Sequence, residues 1–287
     1  MISVSCARWE AVALLASSLW TQWSVDPTST ILVVMLVMWW LGGRGMPSHG
    51  RWRTAAWWAG VATLIAALNS PIDAQSDDFF WVHMVQHVLL LTVAAPLLVV
   101  ARPMPRMLRA LPLRLRIALV HGVRRERWAA PLRLLARPLG AWVVFVAVFG
   151  VWHVPSLYDL ALRNQGIHDF EHVTFVASAL MFWNHALGIP PFAKALDWPK
   201  RLAYATTAMI TSWILAVVLA LAPRPLYAYY VLKLAHHGGL SALNDQQIAA
   251  GVMWVPGSVT FTIAIILAIY NWAGPARRST PLRAESA

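Results

Sequence analysis

Residues 79–101 read FFWVHMVQHVLLLTVAAPLLVVA. The stretch holds no Asp, Glu, Lys or Arg, and as a helix it is long enough to cross the roughly 30 Å hydrocarbon core of a bilayer. A lone histidine in such a segment is expensive, and His83 and His87 are two, four positions apart and so on one helical face. A membrane span with a polar purpose is the reading from which the rest follows.

Similar oily stretches recur to either side, at about 28–43, 54–69, 138–153, 170–187, 203–222 and 245–272. Of the 287 residues 59% are hydrophobic and 12% charged, with a mean hydropathy of +0.57, too little charge for an ordinary soluble protein. None of the segments alternates as a barrel strand would. The expected fold is therefore all-α, a polytopic membrane helical bundle of about seven transmembrane helices. Residues 1–24 form an interfacial segment, 25–272 the membrane domain and 273–287 a cytoplasmic tail.

The formal charge of +11 is a matter of sides. Seven crossings put nineteen Lys or Arg and three acids on one side, against four and nine on the other. Ten of those arginines lie in the connection 102–137, parts of which mix leucine and arginine as a helix lying on a membrane does. Positive residues stay inside, so the N-terminus is expected outside and the C-terminus in the cytoplasm. Anionic lipid explains the basicity, and nucleic acid is not required. Cys6 is the single cysteine and excludes an internal disulfide.

Seven of the ten histidines fall toward the extracytoplasmic side: His83, His87, His153, His168, His172, His236 and His237. His168 and His172 repeat the four-residue spacing, and His153 lies at a similar depth. Three helices can thus bring five imidazoles to one region: His83, His87, His153, His168 and His172 are the expected metal ligands. Imidazole suits copper, zinc and iron, with copper preferred among divalent ions at an open nitrogen site. Asp78, Asp169 and Glu171 are placed to orient a ring N–H or attract cations. The competing reading is hydrogen bonding of each ring to a backbone carbonyl or an acid. No phosphate loop, Cys-x-x-Cys pair or nucleophile elbow appears, so no enzyme is expected. Asp245 is expected to cap the helix it begins, and Pro96 and Pro256 to bend theirs.

Several stretches carry a resemblance: His83-Met84-Val85-Gln86-His87 with Ala95-Pro96 and Arg102-Pro103; Trp152-His153-Val154-Pro155 with Tyr158; Asp169-Phe170-Glu171-His172 with Phe182-Trp183; and Asp245-Gln246-Gln247 through Gly251 with Met253-Trp254. Across residues 25–272 the chain resembles the CtaG-type cytochrome c oxidase assembly factors. The resemblance implies a multi-pass protein of the bacterial plasma membrane that helps deliver copper to the oxidase, with oxidase subunits or copper donor proteins as partners. It puts His83, His87, His153 and His172 first, with Asp245 and Gln246 as motif positions. Residue chemistry alone leaves other functions open: a haem- or quinone-linked electron-transfer subunit, a non-metal scaffold, or a transporter.

Overall fold

The computed structural model describes residues 23, 27–44, 50–125, 129–189, 196–235 and 240–273. Cys6, His49, His236, His237, nearly all of the expected interfacial segment and the tail beyond Ala273 lie outside the described residues.

The described chain is helical: α1 Pro27–Gly42, α2 Arg51–Leu68, α3 Pro71–Ser76, α4 Phe80–Val88, a π segment Leu89–Ala94 and α5 Ala95–Ala101. There follow α6 Met104–Leu108, α7 Leu113–Arg125, α8 Ala130–Leu135, α9 Pro138–Trp152, α10 Pro155–Arg163, α11 Gln165–Leu187, α12 Trp198–Leu221, α13 Ala228–Leu234 and α14 Ala242–Ala273. A helix stands at each of the seven expected places. Length and apolarity qualify three of the described helical stretches as membrane-crossing, Phe80–Ala101, Trp198–Leu221 and Ala242–Ala273, with a fourth if α9 and α10, bent by 75°, form one span. The others differ for physical reasons. α1 is apolar but short, α2 begins with Arg51 and Arg53, and α11 carries His168, Asp169, Glu171, His172 and His185.

The surface of the bundle is far more apolar than that of a protein in water. Large apolar side chains such as Val255, Ile263, Ile266 and Leu221 are exposed, whereas His83, Gln86, Glu171, His172, Asp245 and Gln246 are buried. Such an exposed apolar surface suits lipid.

Pro96 shows how the third segment keeps its backbone satisfied. Its ring removes the N–H that would bond the Thr92 carbonyl. The helix widens into the π segment just before it, and the Thr260 hydroxyl of α14 donates to Thr92 O at 2.5 Å. One residue earlier the Trp183 indole of α11 donates to Leu91 O at 2.7 Å. The bend expected from Pro96 is thus a π-distorted stretch whose carbonyls are taken by two other helices.

At the far end of α11, Gly188 adopts φ +63° and closes the helix, with Ile189 N donating to Asn184 O at 3.0 Å. A Cβ there would collide with the Arg201 guanidinium, whose Nε donates to Leu196 O at 2.8 Å.

Candidate metal centre

Helix α4 carries the first pair. Phe79, which precedes it, offers no side-chain cap, so the first N–H groups would be orphaned in an apolar setting. Asp245 of α14 supplies the missing acceptor, its two oxygens taking Phe80 N at 2.8 Å and Trp81 N at 3.1 Å. The expected role of Asp245 as cap of its own helix is therefore corrected: the buried carboxylate caps α4, three residues before His83. Gln246 beside it accepts from Leu226 N at 2.7 Å and donates to Leu219 O at 2.9 Å, tying α14 to the end of α12. Gln86, on α4, donates to Ala67 O and to Asp73, both at 2.8 Å.

Helix α11 carries the second pair. Asn164 caps it, accepting from Ile167 N at 3.2 Å. The helix starts at Gln165, earlier than expected, so His168 and His172 both lie within it on one face. His153 follows α9 at its C-terminus, where Pro155 opens α10 in a new direction.

These elements bring the rings together. Ring centroids lie 4.3 Å apart for His83 and His87, 5.1 Å for His83 and His168, 4.3 Å for His168 and His172, and 5.6 Å for His87 and His172. His153 stands at the edge, 6.3 Å from His87. All five residues are at most 5% exposed. Two sets of ligand atoms lie within 4.8 Å of one another: His83 with His168 and His172, and His83 with His87 and Glu171. His153 belongs to neither set.

The hydrogen bonds determine which nitrogens are bare. The Tyr230 hydroxyl donates its only proton to Ser76 O at 2.7 Å. Its 3.0 Å contact with His83 Nδ1 must then be a bond donated by the imidazole, which leaves His83 Nε2 as a lone pair. That lone pair accepts from His87 Nε2 at 2.9 Å. His153 Nδ1 donates to Phe149 O at 2.7 Å, and its Nε2 has no partner. His168 Nε2, His172 Nε2 and both Glu171 oxygens are likewise buried without a hydrogen bond, though Glu171 stands 3.7 Å from His87 Nε2.

Unpaired buried polar groups each cost about 1–3 kcal/mol, a cost that a bound ion or water at the cluster would relieve. Nitrogen–metal bonds of about 2.0–2.1 Å at a tetrahedral angle put neighbouring ligand atoms about 3.3 Å apart. His83 and His87 need to part only slightly to admit an ion in place of their shared proton. Rings held at Nδ1 by Tyr230 and by Phe149 O are oriented as metal-bound histidines are by outer partners.

Of the three acids singled out in the sequence, Glu171 alone reaches the cluster. Asp78 pairs with Lys233 at 3.2 Å, and Asp169 accepts from Gln165 at 2.9 Å. Burial raises the carboxyl of neighbouring Asp77 above its ordinary range, with Lys233 opposing the effect. His185 lies elsewhere, bonded to Ala136 O at 2.9 Å. Tyr230 and Ser76 carried no signal that would have assigned them to the site. Met84 joins Met253, His87 and His153 around a small adjoining cavity of about 30 Å³.

The model of a protein family described as cytochrome c oxidase caa3 assembly factor (Caa3_CtaG) matches residues 32–274. Among individual proteins, the chain is 26% identical over 236 residues to uncharacterized proteins of Mycobacterium bovis and Mycobacterium tuberculosis, covering 79% of this chain and 35% of each relative. It is 22% identical over 268 residues to one of Mycobacterium leprae, covering 88% of this chain and 40% of that one. The chain thus spans well under half the length of these curated relatives. No solved structure matches.

Proposed function

The chain belongs to the cytochrome c oxidase caa3 assembly factor family, and from that premise we propose that it holds copper on the imidazole cluster and passes it to an oxidase subunit. The observation that carries the reading is the convergence of His83, His87, His168, His172 and Glu171 inside an apolar bundle, with His168 Nε2, His172 Nε2 and both Glu171 oxygens lacking a hydrogen-bond partner. Copper is here a cargo rather than a resident cofactor. The role is non-catalytic.

The donor set fits a transferable ion. Neutral imidazoles with one ionised carboxylate balance a single positive charge, and a charge-neutral cluster avoids the penalty of burying a net charge. Cuprous copper is the ion of that charge, and the thioethers of Met84 and Met253 beside the cluster are soft donors suited to it. His153, outside both close sets, gives an incoming or leaving ion an alternative ligand, so transfer can proceed by exchange of one nitrogen at a time. The haem alternative is less well supported. Axial ligation needs imidazoles opposed across a macrocycle, whereas these rings crowd one another at 4.3–6.3 Å.

In this reading the seven helices cross a bacterial plasma membrane, with the histidine end extracytoplasmic and the arginine-rich end cytoplasmic. Partners are oxidase subunits and copper donor proteins at the outer face. The test is copper stoichiometry and affinity of the purified protein, with a C-terminal reporter for topology. About one tightly held copper per chain, lost when His83 and His172 are both replaced by alanine, is expected. Unchanged binding in the double variant removes the site, and a reporter on the outer face reverses the orientation.

A further inference from the structure

The other end of the α4–α5 rod holds a second, unrelated feature. His83 and Arg102 are separated by nineteen residues, about 28 Å along a helix. Around Arg102 a cavity of about 1390 Å³ opens between the bundle and the basic connection 102–137. This is larger than the roughly 300–1,000 Å³ typical of small-molecule sites. Its walls are apolar, with Met35, Leu98, Leu132 and Leu180 among them, while Arg102, Arg133 and Arg137 line it too, as does Lys200, ion-paired with Asp197 at 2.8 Å.

Three residues that line this cavity each carry a buried polar atom without a hydrogen-bond partner. Arg102 has its Nε among them, and its backbone sits in the left-handed region at φ 51°, a strained conformation for a non-glycine residue. The other two are acceptors. His185, 3% exposed, donates through Nε2 to Ala136 O, which leaves Nδ1 as a bare lone pair, and Asn184 Oδ1 is equally unpaired. The three atoms comprise one cationic donor and two acceptors, on residues that line an oily chamber.

We propose that this cavity binds one anionic phospholipid whose headgroup carries hydroxyl donors, phosphatidylglycerol being the simplest. The acyl chains fill the apolar chamber, the phosphate takes Arg102 and Arg137, and the headgroup hydroxyls satisfy Asn184 and His185. Charge complementarity selects this occupant: the connection 102–137 holds ten arginines and one acid, and basic pockets between membrane helices are sites for acidic headgroups. A zwitterionic lipid supplies an ammonium that these cations repel. Inorganic phosphate alone leaves the chamber empty.

The test uses the full chain in a mild non-ionic detergent with an equimolar mixture of phosphatidylglycerol and phosphatidylcholine, followed by native mass spectrometry. Wild-type protein is expected to retain one phosphatidylglycerol at least tenfold in preference. Equal retention of the two lipids overturns the proposal, as does an equal response to inorganic phosphate. Replacing both residues, Arg102→Gln with Arg137→Gln, is expected to abolish the preference, while Arg114→Gln on exposed α7 leaves it intact. A preference that survives in the double variant also overturns the assignment. Copper binding at the histidine end is read separately on the same samples.

Discussion

Asp245 and Phe80 are joined by a 2.8 Å hydrogen bond from the backbone N–H of one to the carboxylate of the other, across 165 residues of sequence. An acid at the start of the last long helix thereby fixes the beginning of the helix that bears His83 and His87. Asp245 is completely buried, so the bond is formed without competition from water.

Asp245→Ala removes the acceptor for both Phe80 N and Trp81 N. A lost cap costs about 0.5–2 kcal/mol, and two buried donors left bare raise that toward about 3 kcal/mol. Thermal unfolding in detergent is expected to shift down. Copper affinity is expected to fall as well, because the first turn of α4 positions His83. Unchanged affinity would show that the cap serves stability alone.

Tyr230→Phe leaves the Tyr230 position filled but takes away the oxygen that accepts from His83 Nδ1. Loss of a group that orients a metal-bound histidine lowers affinity about 10–100-fold. A competition titration against a cuprous chelator is expected to show a reduction in that range, with copper stoichiometry unchanged.

Thr260→Val is nearly isosteric and strips the donor from Thr92 O, the carbonyl freed by Pro96. The expected loss is about 1–3 kcal/mol of stability, seen as a lower unfolding temperature. Copper stoichiometry is expected to stay at the wild-type value, which separates this device from the site.

Gly188→Ala meets both a left-handed backbone and the Arg201 side chain. The backbone alone costs about 1–2 kcal/mol for a residue with a Cβ, and displacing the guanidinium adds the loss of its bond to Leu196 O. A clear drop in unfolding temperature is expected, again without effect on copper stoichiometry.

Copper affinity is also expected to weaken as pH falls, because protons and the ion compete for the same imidazole lone pairs and for the Glu171 carboxylate. A titration between pH 7 and pH 5 reads this directly. An affinity indifferent to pH would speak against imidazole ligation.

The helices and the histidine cluster were legible because each rests on a local pattern. An uncharged run of sufficient length reads as a helix, and a four-residue histidine spacing puts two rings on one face whatever the rest of the chain does. Contacts between distant segments leave no such mark. Asp245 at the start of a helix has the look of a cap for that helix, and only the packing of α14 on α4 shows whose N–H groups it takes. Tyr230 sits in a half-polar stretch without periodicity, and its bond to His83 depends on how α13 meets α4. Asp169 follows His168 directly yet accepts from Gln165, since neighbours on a helix face different ways, and Asp78, in the turn before the helix of His83, pairs with Lys233. The expectation of seven spans rests on length and apolarity; among the described residues three or four helical stretches meet both criteria, and the polar residues of α11 and the arginines of α2 weaken the signal there.

The most direct measurement is an anomalous difference map recorded at the copper edge from crystals of the copper-loaded protein. One strong peak is expected among the rings, within about 2.1 Å of His83 Nε2 and of a nitrogen from His168 or His172. A peak at another place in the molecule, or none in protein shown to be loaded, would contradict it.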